Sequence, residues 1–168
     1  MKIEENKSIM SVENVRNDLS AYGLGGRVME FPVSSATVEL AAAALGTEPA
    51  RIAKSLTFYG KDGECLMIVT AGDQKIDNAK FKAFFGCKAK MMSAEDALAF
   101  TGHAVGGVCP FALPQDNVKV YLDASMRRFD TVYPAAGSSS SAVRMNCDEL
   151  FMASRALAWI DVCKSREA

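Results

Sequence analysis

The most constraining feature of this sequence is Cys65-Leu66-Met67-Ile68-Val69, a run in which every residue is apolar. A strand that is apolar on both faces belongs in the centre of a sheet, because neither face can be turned toward water. Asp62-Gly63, a strong hairpin signal, precedes this run and follows the strand-like segment 55–59. We therefore predict a sheet organised around a hairpin whose second strand is buried on both sides.

Helical and extended patterns alternate around this hairpin. Several segments have apolar residues at helical spacing: 11–22, 34–45, 77–85, 93–101 and 146–163. Further segments have strand patterns: 27–31, 118–122 and 131–135. Ser34 or Ser35 is expected to begin the second helix, and the last helix should run from Asn146 to about Cys163. This mixed order predicts an α+β (mixed α/β) fold around a mixed sheet.

Length and composition favour one domain. The chain has 168 residues, of which 49% are hydrophobic, and this is enough for one sizeable core. We expect a single domain over residues 1–168, with an N-terminal helical segment at 1–26 and the core at 27–163. No apolar stretch is long enough for a membrane span and the N-terminus lacks the pattern of a signal peptide. We therefore expect a cytoplasmic protein without a membrane partner.

The cysteines and the histidine limit the chemistry. Cysteines stand at positions 65, 87, 109, 147 and 163, an odd number without a CxxC motif. This argues against a disulfide framework and against a thiolate metal site. One histidine is too few for the common zinc sites, and no Gly-Lys-Ser or Gly-Lys-Thr phosphate-binding loop is present. We expect neither a metal nor another cofactor.

Lys54 is the first candidate for a functional residue. The strand period puts it on the same face as Leu56 and Phe58, so that its ammonium points toward the apolar side of the sheet. Further along the chain, Gly106 and Gly107 begin a loop of small residues whose backbone can approach a ligand. A cation at the mouth of a pocket, facing bare N–H groups, suits an anionic or carbonyl-bearing substrate.

The residues leave two types of chemistry open. In the first, His103, the only histidine, would have to reach Cys109 to form a nucleophilic pair, although no basic residue near Cys109 in the sequence would lower the pKa of its thiol. In the second, backbone N–H groups of the glycine loop stabilise an oxyanion while a bound water attacks. Pro110 lacks an N–H, but it stiffens the loop that carries those donors.

Short segments carry a family resemblance, and they are, in order, Ile52-Ala53-Lys54-Ser55-Leu56, Ala71-Gly72-Asp73-Gln74-Lys75-Ile76-Asp77, Thr101-Gly102-His103-Ala104-Val105-Gly106-Gly107-Val108-Cys109-Pro110-Phe111, Val120-Tyr121-Leu122-Asp123 and Ala136-Gly137. Together they resemble the YbaK and prolyl-tRNA synthetase-associated editing domain family. The ordered set is more specific than any single motif. The resemblance implies that family's fold, a mixed sheet partly rolled into a barrel with flanking helices.

The resemblance also implies an activity. It indicates a free-standing trans-editing hydrolase that deacylates mischarged aminoacyl-tRNA, on tRNA-Pro or a related tRNA carrying a small amino acid. Lys54 would orient the tRNA 3′ end and the loop from Gly106 to Pro110 would hold the aminoacyl carbonyl. Water would attack the ester with help from the terminal ribose hydroxyl. The alternative is a module of the same fold that binds tRNA or a nucleotide without turnover.

The implied partners are the aminoacylated 3′ end of a tRNA and an aminoacyl-tRNA synthetase, with no role for DNA. Lys75, Lys80 and Lys82 are candidates for contact with the tRNA, although a solvated helix face would explain the same charges. The residues expected to bind substrate are scattered: Phe31, Ser35, Val38, Val108, Cys109, Gly137 and Ser138. Because the segment 137–141 has only glycine and serine, the pocket should favour alanine, serine or threonine.

Overall fold

The computed structural model describes residues 12–32, 34, 37–114 and 116–167. The strands in these residues are β1 (Val28–Glu30), β2 (Ile52–Tyr59), β3 (Cys65–Ala71), β4 (Gln74–Ile76), β5 (Val118–Asp123), β6 (Tyr133–Pro134), β7 (Ser141–Val143), β8 (Ala158–Ile160) and β9 (Cys163–Ser165). The helices are α1 (12–20), α2 (Val38–Leu45), α3 (Asn78–Phe85), α4 (Ala94–Thr101) and α5 (Cys147–Ala153). None of these helices has the length and apolar character that a bilayer span needs.

A mixed sheet with the order β6-β2-β3-β5-β8 forms the centre of the fold. Strands β2 and β3 are the predicted antiparallel hairpin, whereas β5 runs parallel to β3 and β8 runs parallel to β5. Every residue of β3 is buried, as its continuous apolar sequence predicts. The prediction of a mixed sheet with flanking helices is confirmed. Within the described residues the ladder stays open, with β6 and β8 at its edges, and β1-β7 and β4-β9 form two small separate sheets.

Each face of the central sheet has its own core. On one face, Met67, Val69 and Leu122 pack with Val15 and Leu19 of α1. The opposite face carries the second core, in which Phe58 and Ile68 surround Phe81 of α3. A strand needs side chains that suit both cores when it lies between two packed layers, and β3 meets this requirement by being apolar throughout.

Side-chain caps begin the helices. Asp77, Ser93 and Asn146 accept hydrogen bonds from backbone N–H groups in the first turns of α3, α4 and α5, as their sequences predict. The second helix begins later than expected, because Thr37 caps it through the N–H of Leu40. Ser34 therefore does not begin this helix, and Ser35 lies outside the described residues.

The prediction of one long C-terminal helix is wrong. Helix α5 ends at Ala153, and Arg155 then takes a left-handed conformation with φ of 53°. The following segment becomes β8, which adds to the edge of β5. Trp159 and Ile160 favour an extended conformation beside an open strand edge, so tertiary pairing overrides the helical spacing of this segment.

Candidate active site

A cavity of about 340 Å³ lies along the outer edge of β2, the edge that faces away from β3. At one end of this edge, Ile52 and Ala53 pair with β6. Toward the other end, the carbonyl of Thr57 accepts a hydrogen bond of 2.9 Å from the N–H of Met92. Between these contacts, Ser55 pairs with Val69 of β3 on its inner edge but has no strand partner on the outer edge among the described residues, because the register with β6 stops at Ala53. The cavity occupies this gap.

The cavity walls come from α2, β2, α4 and two loops. Apolar side chains form most of the wall, and small hydroxyl residues interrupt it. The lining residues are Thr37, Val38, Ala41, Leu45, Ile52, Ala53, Lys54, Ser55, Leu56, Thr57, Met91, Met92, Ala94, Ala97, Val105, Gly106, Val108, Tyr133, Ala135, Ser138, Ser141 and Ala142. Met91 and Val105 are also 59% and 72% exposed, so the mouth of the cavity has an apolar rim.

Lys54 lies in this wall and is partly buried. Its ammonium donates a hydrogen bond to the backbone carbonyl of Gln74 in β4. Burial lowers the pKa of Lys54 below its ordinary value, and the nearby positive charge of Arg166 lowers it further. An ammonium has three donors, so this bond leaves further donors for an anionic group in the cavity.

A network of charged side chains lies around the Gln74 carbonyl that accepts the hydrogen bond of Lys54. Arg166 follows β9, donates to the carbonyl of Gly72 at 3.3 Å, and forms an ion pair with Glu39 of α2 at 3.4 Å. Asp73 forms a two-pronged ion pair with Arg128 at 2.7 and 3.0 Å, and this bond lowers the pKa of Asp73. Arg166 is not predicted from the sequence, because only the pairing of β4 with β9 brings this residue to the site.

The glycine loop (residues 106–110) approaches the serine loop (residues 137–141) more closely than side chains larger than glycine would permit. A Cβ atom on Gly106 would lie 2.7 Å from the Cβ of Ser139, and Gly106 itself has a φ of +88°. A Cβ on Gly107 would lie 2.6 Å from the carbonyl carbon of Gly137. These two positions therefore require glycine for the close approach of the backbones, and Gly106 requires it for its conformation as well.

The backbone donors of this loop are not equivalent. The N–H of Gly107 donates to the carbonyl of Ala104 at 2.9 Å and closes a turn. Gly106 and Val108 line the cavity, and among the described residues no backbone acceptor is recorded for their N–H groups. The amides of Gly106 and Val108 are therefore better placed than that of Gly107 to bind a ligand in this conformation.

Serine hydroxyls line the cavity beside the glycine loop. Ser138 donates to the hydroxyl of Ser141 at 2.9 Å, and Ser141 bonds back to the carbonyl of Ser138 at 3.2 Å. Both residues line the cavity, and Ser141 is buried. This local network fixes the loop conformation, as expected of serines that bond to neighbouring backbone groups.

Cys109 and His103 are neighbours, as a nucleophilic pair requires. Cys109 Sγ lies 3.5 Å from His103 Nε2. However, Cys109 is a fully buried residue of the glycine loop and is absent from the cavity wall. Burial raises the pKa of its thiol to about 12, and burial also lowers the pKa of His103. A buried thiol beside a neutral imidazole has little thiolate at neutral pH, so this contact does not form an activated nucleophile.

The other residues expected at the site have varied positions. Val38, Val108 and Ser138 line the cavity together with Lys54 and Gly106. Four others are not among the lining residues: Phe31, Gly107, Pro110 and Gly137. Phe31, for example, donates its N–H to the carbonyl of Ser140 at 2.9 Å. Ser35 is outside the described residues.

The three lysines expected to contact tRNA lie on β4 and α3. Lys80 forms a 3.0 Å ion pair with Asp161 and also donates to the carbonyl of Cys163 at 3.0 Å. Lys82 and Lys88 line a second cavity of about 380 Å³. Lys75 stands opposite Lys164 in the register of β4 and β9. Lys164 is exposed and adds a positive charge that the sequence argument did not include.

Ser55, which lines the cavity, is a second site residue that is not predicted from the sequence. Its hydroxyl oxygen is buried, and none of the described residues forms a hydrogen bond with it. Thr57 accepts a bond on the outer edge of β2, and strand alternation therefore puts the N–H and C=O of Ser55 on that edge too. Ser55 follows Lys54 in the sequence, and only the gap in the sheet makes both residues part of one cavity.

Metal binding has no evident site here. Among the residues that the structure describes, no group of three or more His, Cys, Asp or Glu side chains has an arrangement that could hold a metal ion. The polar groups of the cavity are instead an ammonium, hydroxyls and backbone amides. These groups bind anions, carbonyls and other polar organic groups.

Comparison with known proteins identifies the family. The aminoacyl-tRNA editing domain matches residues 33–152, well over half of the chain, and these residues include β2, the glycine loop and the serine loop. The chain belongs to this family. Uncharacterized protein YwhH of Bacillus subtilis (strain 168) is 49% identical over 158 residues, which are 94% of this chain and 100% of the relative. The expected membership of the editing domain family is thus confirmed.

Two further comparisons relate this editing domain to prolyl-tRNA synthetase. The proline–tRNA ligase of Thermosipho melanesiensis is 35% identical over 92 residues, which are 54% of this chain but 16% of the ligase. A solved structure described as a candidate trans-editing enzyme for prolyl tRNA synthetase superimposes with a TM-score of 0.83 at 29% identity. That superposition covers 92% of this chain and 98% of the other.

Proposed function

We propose that this protein is a trans-editing hydrolase that deacylates mischarged aminoacyl-tRNA. The observation that carries the proposal is the cavity at the gap in β2, where Lys54 and the glycine loop line one space. Its volume of about 340 Å³ is at the lower end of the range for small-ligand pockets, which suits an aminoacyl group. The editing domain family supplies the reaction class.

In the proposed reaction, water attacks the carbonyl carbon of the aminoacyl ester. The bond between that carbon and the ribose oxygen breaks, the amino acid leaves with the water oxygen, and the ribose oxygen takes a proton. The N–H groups of Gly106 and Val108 are the proposed donors to the carbonyl oxygen, on which negative charge develops. The neighbouring ribose hydroxyl helps to position the water.

Lys54 has the proposed role of orienting the tRNA 3′ end. A phosphate or ribose oxygen at the cavity mouth would accept a hydrogen bond from its ammonium, which the carbonyl of Gln74 already holds in place. Cys109 has no covalent role in this mechanism, since its thiol is fully buried. Gly107 and Gly137 contribute by allowing the two loops to pack closely, and Pro110 contributes by stiffening the glycine loop.

The proposed substrate is tRNA-Pro, or a related tRNA, carrying a small amino acid such as alanine, serine or threonine. Similarity to the proline–tRNA ligases and to the candidate trans-editing structure supports the choice of tRNA. The small residues of the serine loop and the apolar side chains of α2 support the choice of amino acid. Lys75, Lys80 and Lys82 are the proposed contacts to the tRNA backbone, and we infer a cytoplasmic enzyme that works beside a synthetase.

The test is a panel of mischarged tRNAs, with loss of the aminoacyl ester followed over time. Wild type should deacylate at least one small-amino-acid tRNA, and Lys54→Ala should abolish this turnover while its thermal unfolding stays close to wild type. Lys61→Ala removes an exposed lysine from the β2–β3 turn and serves as the matched control. Retained turnover together with a lower melting temperature in Lys54→Ala would make Lys54 a structural residue.

A module that binds without turnover is the competing function. It predicts that wild type binds the tRNAs of the panel and hydrolyses none of them. Binding measured by filter retention on the same samples separates the two functions, because the hydrolase must release free amino acid in proportion to enzyme and time.

A further inference from the structure

One peptide group behind the cavity is held from both sides. The carbonyl of Phe111 and the N–H of Ala112 belong to the same peptide bond, which follows Pro110 at the end of the glycine loop. His103 Nε2 lies 2.7 Å from the Phe111 carbonyl oxygen. On the other side, the Ala112 N–H donates to Asp18 Oδ2 at 2.9 Å. The orientation of this peptide plane is therefore fixed by two side chains that are distant in sequence.

The hydrogen bond to the Phe111 carbonyl determines which ring nitrogen of His103 carries the hydrogen. A carbonyl oxygen can only accept, so Nε2 carries the hydrogen and Nδ1 has none in the neutral ring. His103 is 2% exposed, and its Nδ1 has no hydrogen-bond partner among the described residues. The imidazole makes its hydrogen bond to the loop and does not line the cavity.

Asp18 stabilises a backbone conformation that alanine rarely adopts. Ala112 has a φ of 53°, in the left-handed region where a side chain meets the backbone. Such a conformation persists when surrounding contacts determine it. The Asp18 carboxylate supplies one of these contacts through the Ala112 N–H, and it accepts a second bond at 3.0 Å from Arg155.

The clamped peptide is connected to the cavity through the loop itself. Val108 lines the cavity, and Cys109, Pro110 and Phe111 follow it as buried residues. A rotation of the peptide between Phe111 and Ala112 would have to be absorbed by these packed residues, so it would displace Val108. Asp18 lies outside residues 33–152, the part of the chain that matches the editing domain family.

We propose that Asp18 and His103 are positioning residues that clamp the peptide between Phe111 and Ala112 and thereby hold the N–H of Val108 in its ligand-binding place. This inference rests on the proposed function where it concerns turnover. Its structural part, the control of the loop by Asp18, does not depend on any particular substrate.

The central test replaces Asp18 and then repairs the loop by a different route. Asp18→Ala should lower kcat on the best substrate of the mischarged panel by about 10- to 100-fold, the loss typical of a misplaced catalytic group, with a smaller change in KM. Adding Ala112→Gly should restore most of the lost kcat, because glycine adopts a left-handed φ without the help of Asp18. A variant that merely weakens the fold would not be rescued in kcat by this glycine.

Arg155→Gln provides the matched control. It removes the other partner of the Asp18 carboxylate, and Arg155 is 61% exposed and lies outside the glycine loop. This variant should keep its turnover within about twofold, since the Asp18 carboxylate keeps its bond to the Ala112 N–H. His103→Leu and His103→Gln form a second pair, in which only the glutamine keeps a donor for the Phe111 carbonyl and should keep the greater kcat.

Hydrogen exchange of residues 104–112, followed by mass spectrometry, reports on the clamp without a substrate. Asp18→Ala should accelerate exchange in this segment, and Ala112→Gly should reverse the acceleration. If wild type hydrolyses no ester but exchange responds in this way, the clamp stands and the proposed function falls. If Asp18→Ala changes neither exchange nor kcat, or if Ala112→Gly restores neither, the clamp is overturned even in an active deacylase.

Discussion

Gly107 packs against Gly137 so closely that a Cβ on Gly107 would lie 2.6 Å from the carbonyl carbon and from the carbonyl oxygen of Gly137. The obstacle is backbone, so it cannot move aside as the end of a flexible side chain can. Gly107→Ala should therefore push the glycine loop and the serine loop apart. We expect a loss of about 1–3 kcal/mol in the free energy of unfolding, as for other overpacked sites, together with loss of turnover.

Chemical denaturation and the deacylation assay measure these two effects. Gly26→Ala is the control, because a Cβ on Gly26 would have no heavy atom within 4 Å. An alanine at Gly107 that folds and reacts like wild type would show that the two loops do not need this close approach.

The rate of deacylation should depend on pH through Lys54. The pKa of Lys54 is lowered from 10.5 by burial and by Arg166, and the protonated form is the one that can donate to an anionic group. The rate of deacylation should therefore be maximal at pH values below the lowered pKa of Lys54 and should fall as the pH rises through that pKa. Arg166→Gln removes a repelling positive charge, so the pKa of Lys54 should rise and the alkaline limb should move to higher pH.

Initial rates across the alkaline range, corrected for spontaneous ester hydrolysis, give this profile. Lys164→Gln controls for a general loss of positive charge, because Lys164 belongs to β9, the strand that Arg166 follows. If Arg166→Gln does not shift the alkaline limb, the pH dependence does not come from Lys54.

Ser55→Ala should distinguish a hydroxyl kept for binding from one kept for stability. The buried Ser55 oxygen has no partner among the described residues, so its removal should leave the free energy of unfolding unchanged or raise it by about 1 kcal/mol. The KM for the substrate should rise by about tenfold if the hydroxyl binds the aminoacyl group. Ser154→Ala should show the opposite pattern, because the Ser154 hydroxyl bonds to the carbonyl of Phe151 far from the cavity lining.

Cys109→Ser should retain most of the activity. The thiol is fully buried and its pKa is raised to about 12, so no thiolate is available to be lost. Serine is close to cysteine in size, so it fits the buried position without displacing the Phe111 carbonyl, which lies 4.0 Å from Cys109 Sγ. Steady-state kinetics check this, and a decrease in kcat of more than about a hundredfold would restore Cys109 and His103 as a reacting pair.

The affinity for tRNA should weaken with salt through the lysines of β4 and α3. Each phosphate contact contributes about 0.7 to 0.9 to the slope of log affinity against log salt, so Lys75→Gln, Lys80→Gln and Lys82→Gln together should visibly flatten it. Lys80 can exchange Asp161 for a phosphate, because an exposed ion pair is worth little. Lys61→Gln is the control. If the triple variant and this control have equal slopes, the three lysines form a solvated face and do not contact the tRNA.

Local signals predicted much of this fold. The β2–β3 hairpin, the buried strand β3 and the capped starts of α3, α4 and α5 depend on neighbouring residues, so the sequence contains the information directly. The segment after Ala153 was different. Its apolar spacing suits a helix, and only the open edge of β5, formed by distant parts of the chain, makes β8 the better structure.

The candidate site was predictable to a similar extent. Lys54 and the glycine loop stand out because a lysine on an inward strand face and adjacent glycines are locally unusual. Ser55 and Arg166 did not stand out, because their importance comes from where β6 stops pairing and where β9 begins. The role of Asp18 depends on a three-dimensional contact with Ala112, which lies 94 positions away in the sequence.

The short unpaired stretch on the outer edge of β2 also affects how readily one molecule of the protein associates with another. An unpaired strand edge normally invites another strand, and such pairing leads to aggregation. Here the free edge at Ser55 is closed off by β6 on one side and by the contact between Met92 and Thr57 on the other. A whole strand cannot reach into a space that short. The fold thus leaves an unpaired stretch of the β2 edge that is too short for a second strand and, under the proposed function, long enough for one aminoacyl group.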